Sequence, residues 1–215
     1  MALIAETLRT ALYAVFTGMG DMATDDDYAD GIGNAVAAFL KTGQVTTVDG
    51  GTITGGVFAG GGTESLASNT SISGTACAGI IKSACTRMKN MSSGGNDYLA
   101  AETGKALKKM ASDIRIKTSV TGTLTPPSGP SVTPYPPTGT GTAEGSVSGS
   151  DANLVSSLKD AFTSMWDRRE EEGFDGNWYL ADEMSKAVAS FWTSCAVSTS
   201  GKNELSGSSG HGGIS

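Results

Sequence analysis

LADEMSKAVASFW, residues Leu180–Trp192, is the stretch from which the rest of the chain is read, because its pattern occurs three times. YADGIGNAVAAFL (Tyr28–Leu40) and LAAETGKALKKMA (Leu99–Ala111) align with it without a gap. Ala29, Ala100 and Ala181 coincide, as do Ala35, Ala106 and Ala187, then Val36, Leu107 and Val188, then Phe39, Met110 and Phe191. In the first and third copies apolar residues fall at i, i+4, i+7, i+8, i+11 and i+12, which is one stripe of an amphipathic helix. The second copy carries Thr103 within its stripe.

Each copy has a partner upstream. Ile4, Leu8, Ala11, Leu12, Val15 and Phe16 match Leu154, Leu158, Ala161, Phe162, Met165 and Trp166 at the same spacing. The middle version reads Cys77, Ile81, Ala84, Cys85 and Met88, with Lys89 where the others have an aromatic residue. A basic residue follows the second stripe position each time: Arg9, Lys82 and Lys159. The pattern predicts a mainly α protein with accessory β (α+β), built from three divergent helical-hairpin repeats joined by Thr/Gly/Pro-rich extended segments. The divisions fall at residues 1–75, 76–149 and 150–215. The spacing from Tyr28 to Leu99 is 71 residues and from Leu99 to Leu180 is 81, too long for the short solenoid families.

Between the helices the composition changes. In QVTTVDGGTITGGVF (Gln44–Phe58) the Val, Ile and Thr residues predict two short strands, with a turn at Asp49-Gly50-Gly51. A polar linker is expected over Ala59–Thr75. Ile114–Thr125 alternates Ile114 and Ile116 with Arg115 and Lys117, as a half-buried strand does. All six prolines lie in Pro126–Pro137, a segment suited to extended polyproline geometry. Ile114–Gly149 is therefore expected to be a long extended arm, able to add to a sheet edge of another chain. The Gly/Ser-rich Ser198–Ser215 is expected to be a mobile tail.

The charge balance narrows the partners. With 22 acids against 15 bases the formal charge is −7, a poor surface for a phosphate backbone, so no nucleic-acid partner is expected. No apolar run approaches the ~20 residues of a membrane-spanning helix. MALIAETLRTALYAVF lacks the basic, apolar, small-residue order of a signal peptide and reads as a first helix. Cys77, Cys85 and Cys195 read as buried free thiols; the first two are eight residues apart on one helix, about 12 Å, too far to bridge.

Catalytic chemistry finds little support. His211 is the only histidine, which argues against a His-dependent triad or a multi-His metal site. Gly104-Lys105 and Gly201-Lys202 are followed by Ala106 and Asn203, so neither is a phosphate loop. The acidic run Asp21, Asp25, Asp26, Asp27 and Asp30 is the best chemical candidate, and Asp25, Asp27 and Asp30 are the residues to weigh as cation ligands. Its spacing misses the D-x-D-x-D-G calcium loop, and acids before a helix also suit the positive end of its dipole. No catalytic residue, cofactor or small-molecule substrate is expected. Asn69-Thr70-Ser71 and Asn90-Met91-Ser92 match glycosylation acceptors. Trp166 and Trp192 lie on apolar stripes and are expected in the core.

A chain that starts at a helix, carries Thr/Gly/Ser/Pro-rich arms, has few His and Cys and is acidic resembles the small virion structural proteins of tailed bacteriophages. The resemblance spans the whole chain in composition and architecture, and no single motif carries it. It implies a virion assembly protein, a tail, baseplate or neck component, made in the host cytoplasm. Its partners would be other virion proteins in a symmetric multi-subunit assembly, engaged through extended arms. A cytosolic adaptor or regulatory binding protein, and a surface-layer or adhesin-like protein, are the alternatives.

Overall fold

The computed structural model describes residues 3–18, 24–54, 56–126 and 138–215. Two helices and two strands follow one another three times. The helices are α1 (Ala5–Gly18), α2 (Asp25–Leu40), α3 (Thr75–Met88), α4 (Gly95–Asp113), α5 (Ala152–Arg168) and α6 (Gly176–Ser194). The strands are β1 (Gln44–Ile53), β2 (Gly56–Ser65), β3 (Arg115–Thr125), β4 (Thr138–Ser148), β5 (Ala196–Gly201) and β6 (Ser208–Ile214). All six strands form a closed antiparallel barrel in chain order, β6 pairing back onto β1.

This overturns the expected fold class. The chain is not a mainly α protein with accessory strands, and helical hairpins are not evident as repeating units joined by extended segments. Helices pack across the supposed boundaries as extensively as within them: α1 on α6, α2 on α3 and α4 on α5, so six helices close into one ring. The extended arm is β3 and β4, hydrogen-bonded to each other and to β2 and β5. The expected tail is β5 and β6. The expected linker holds most of β2, then Leu66 and Ile72, both buried. Asp49, Gly50 and Gly51 sit inside β1, which continues to Ile53 opposite Gly56. Of the proline-rich stretch, residues 127–137 lie outside the described residues.

Local chemistry explains the helix boundaries. Thr24 caps α2: its hydroxyl accepts from the Asp27 amide, while Asp27 accepts from the Thr24 amide, a reciprocal box that satisfies two orphan donors. Asp175 does similar work for α6, its carboxylate accepting from the Trp178 amide at 2.9 Å. At the start of α3 the backbones of Gly33 and Gly74 meet so closely that a Cβ on Gly74 would lie 2.4 Å from the Gly33 carbonyl. Only glycine permits that approach.

The main core joins the inner faces of all six helices to one end of the barrel. Leu8, Leu12, Ile32, Val36, Leu107, Leu158, Val188 and Trp192 are fully buried there, beside Val45, Ile116, Val147, Val197 and Ile214 of the strands. A second, smaller cluster fills the opposite end: Ile53, Phe58, Val120, Ala143 and Leu205. Leu205, from the 3-10 turn Asn203–Leu205, plugs that mouth against Gly141.

Phe39 and Phe191 are 2 % and 3 % exposed, whereas Lys89 is exposed and paired with Asp25. Phe39→Ala or Phe191→Ala should each cost about 3–5 kcal/mol in urea unfolding. Lys89→Ala should change stability by no more than about 1 kcal/mol. Equal losses at the three positions would contradict this core.

Candidate functional site

The acidic run resolves into helix-start and helix–helix contacts. Asp25 pairs with Lys89 at 2.9 Å and accepts from the Thr86 hydroxyl at 3.3 Å. Asp26 pairs with Lys82 at 2.6 Å. Asp27 belongs to the cap of α2, and the Thr24 amide and hydroxyl hold its carboxyl below the usual carboxylate range. Asp30 is exposed on α2. Asp21 lies outside the described residues. Among the described residues no three His, Cys, Asp or Glu side chains converge as a metal site would require.

The three recurring basic residues acquire a shared role. Arg9 reaches Asp182 (3.4 Å) from α1 to α6, Lys82 reaches Asp26 from α3 to α2, and Lys159 reaches Asp97 (2.9 Å) from α5 to α4. Each pair spans one seam of the helical ring. The pairs involving lysine are exposed, so they set helix orientation more than stability.

The surface most suited to a partner lies where α5 turns into α6. Helix α6 runs directly into β5, so the turn between α5 and α6 is at the end of the ring away from the barrel. Trp166 and Trp178 are 56 % and 44 % exposed there, and Met91 reaches the same end from the turn between α3 and α4. Trp166 is thus corrected from a core residue to a surface one, while Trp192 is fully buried. Trp166 walls two adjoining depressions, one shared with Met91 and Gly94, the other with Met165 and Phe174. A third depression continues past Phe174 to Trp178 and Tyr179.

Guanidinium groups stack on these rings. Arg169 lies 4.1 Å from the Trp166 ring centre, Arg168 4.4 Å from Phe174, and Arg9 5.3 Å from Trp178. The Tyr13 hydroxyl donates to Asp175 at 3.0 Å, which ties α1 to the start of α6. The Trp178 amide, and then this phenol, hold the Asp175 carboxyl below its ordinary range. Aromatic rings held by arginines offer large apolar area with little side-chain freedom left to lose, a combination enriched at protein–protein contacts. Sequence periodicity concealed the surface because Trp166 continues the apolar stripe of α5 past the point where the ring still covers it.

The remaining candidates are structural. Asn69 is 8 % exposed, and its side-chain amide is fully engaged: the NH2 donates to Glu64 and the Arg115 carbonyl, and the oxygen accepts from Ser71. His211 lies on the exposed face of β6 between Val48 and Ser198. Cys77, Cys85 and Cys195 are free and buried.

Burial pushes the Cys77 thiol up to about 12, and Cys85 and Cys195 up to about 11. The folded chain therefore holds these protons more tightly than the unfolded chain. Their contribution to stability is complete below the ordinary thiol pKa of 9.0 and is lost as pH rises through the folded values. A disulfide-exchange reagent at mildly alkaline pH should label no thiol before unfolding and all three after it. Rapid labelling of a native thiol would contradict this packing.

Comparison with protein-family models, with curated proteins and with solved structures returns no match to this chain.

Proposed function

We propose that this chain is a structural, non-enzymatic assembly protein of a bacteriophage virion, a tail, baseplate or neck component, made in the host cytoplasm and incorporated with other virion proteins. The observation that carries the reading is the exposed Trp166–Trp178 surface at the outer end of the helical ring. The extended segments are hydrogen-bonded around a closed barrel, so partner contacts are assigned to this helical end and not to strand addition. A closed ring on a closed barrel leaves one helical end to present to a neighbour, as a subunit of a symmetric assembly does. The acidic charge supports protein rather than nucleic-acid partners. No helix among the described residues is long and apolar enough to cross a membrane.

The test is incorporation. The chain should be found at fixed stoichiometry in density-purified particles from cells that produce it. The double variant Trp166→Ala, Trp178→Ala should fold as the parent does, because both rings are exposed. Loss of two such anchors should weaken incorporation by about 30-fold or more. A chain that is absent from particles and monomeric in the lysate would point to the adaptor reading. Unchanged incorporation of the double variant would move the contact to another face.

A further inference from the structure

The barrel interior contains one acid that neither the fold nor the proposed function explains. Asp49, on β1, is 2 % exposed. Its carboxylate accepts from the Thr47 hydroxyl at 2.6 Å and from the Thr199 hydroxyl at 3.2 Å. Among the described residues no basic side chain reaches it. Thr118 is fully buried on β3, and its hydroxyl has no hydrogen-bond partner.

These groups converge. A Cβ on Gly62 would lie 2.6 Å from the Thr47 hydroxyl and 2.8 Å from that of Thr118. A Cβ on Gly210 would lie 2.0 Å from an Asp49 oxygen and 2.4 Å from the Thr199 hydroxyl. Glycine at those two positions therefore keeps side-chain carbon away from the oxygens. The polar layer is enclosed between the main core, which enters the barrel at Val45, Ile116 and Val197, and the apolar plug around Phe58 and Leu205. A lone carboxylate sealed between apolar layers is strongly disfavoured unless its charge is balanced.

We propose that this layer binds one dehydrated monovalent cation of sodium or potassium size. Asp49 supplies the counter-charge, and the hydroxyl oxygens of Thr47, Thr118 and Thr199 are neutral ligands. Thr47 and Thr199 can each donate their proton to Asp49 and still offer a lone pair, and Thr118 has its oxygen free. Oxygen donors suit a hard cation. One carboxylate neutralises a single charge, and the absence of a second acid among these groups disfavours a divalent ion.

The experiment is equilibrium urea unfolding of the whole chain, refolded in matched concentrations of sodium, potassium or choline chloride. Sodium or potassium should raise the midpoint relative to choline, with a saturable dependence on concentration. That dependence should vanish in Asp49→Asn. In Thr118→Val, which keeps the shape and the carboxylate, the half-saturating concentration should rise about tenfold or more. Should Asp49→Asn fail to fold, Thr118→Val decides. Identical wild-type midpoints in the three salts would overturn the proposal. A salt-specific shift that persists unchanged in Thr118→Val would overturn it also, because the cation would then bind elsewhere.

Discussion

Pairing of the last strand with the first is the constraint on which the rest of this structure depends. β6 lies between β5 and β1, and the Gln44 and Ser215 backbones exchange two hydrogen bonds beside it. Without β6, two strand edges would stand open, and the helical core would rest on an incomplete rim. The same meeting of early and late segments recurs in the helices, where α1 packs on α6 and Arg9 and Tyr13 reach Asp182 and Asp175. Two closures, one of hydrogen bonds and one of side chains, fix each other. Closure also removes the exposed edges that lead strands into unwanted association.

A barrel of only six strands has a narrow interior, and this explains its unusual sequence. Thr47 faces Gly62 across the ladder, Thr118 faces Ala143, and Thr199 faces Gly145 and Gly210. Larger residues at these positions would overfill the centre. The same economy hid the barrel from a reading of the sequence. Strands are recognised by alternating apolar and polar residues, and here the inward position is as often Gly or Thr as Val. Ser208–Ile214, SSGHGGI, has the composition of a flexible end, yet it is the strand that closes the barrel. Its order comes from backbone pairing on both sides, a tertiary property that composition does not record.

The helices were far more legible. A helix that covers a core repeats its apolar residues over several turns, so the stripes of Ile32–Phe39 and Met184–Trp192 could be read directly. What the stripes could not tell was which helix covers which. Nearness in sequence pairs helices within a hairpin, whereas packing continues around the ring, across α1–α6, α2–α3 and α4–α5 as well. The Arg9, Lys82 and Lys159 positions were visible as a recurring mark, and their partners across the seams were not. The exposure of Trp166 is hidden for a related reason. Trp166 keeps the phase of its stripe but lies past the end of the cover, and phase alone does not report where cover stops. Asp-Gly-Gly at 49–51 is a turn signal in isolation, and only the pairing of β1 on both sides makes it strand.

The position of β6 in the chain also sets an order of events during synthesis. Ribosomes deliver residues from the amino end, so β1 to β5 exist before their last neighbour emerges. Through that interval the edge of β1 that faces β6 has no partner from this chain, and the ladder between residues near 45 and 214 must close one of the longest loops in the fold. Contacts of such large sequence separation form slowly. The time between emergence of β1 and of β6 is therefore the interval in which an open barrel edge is exposed to chaperones and to misassembly.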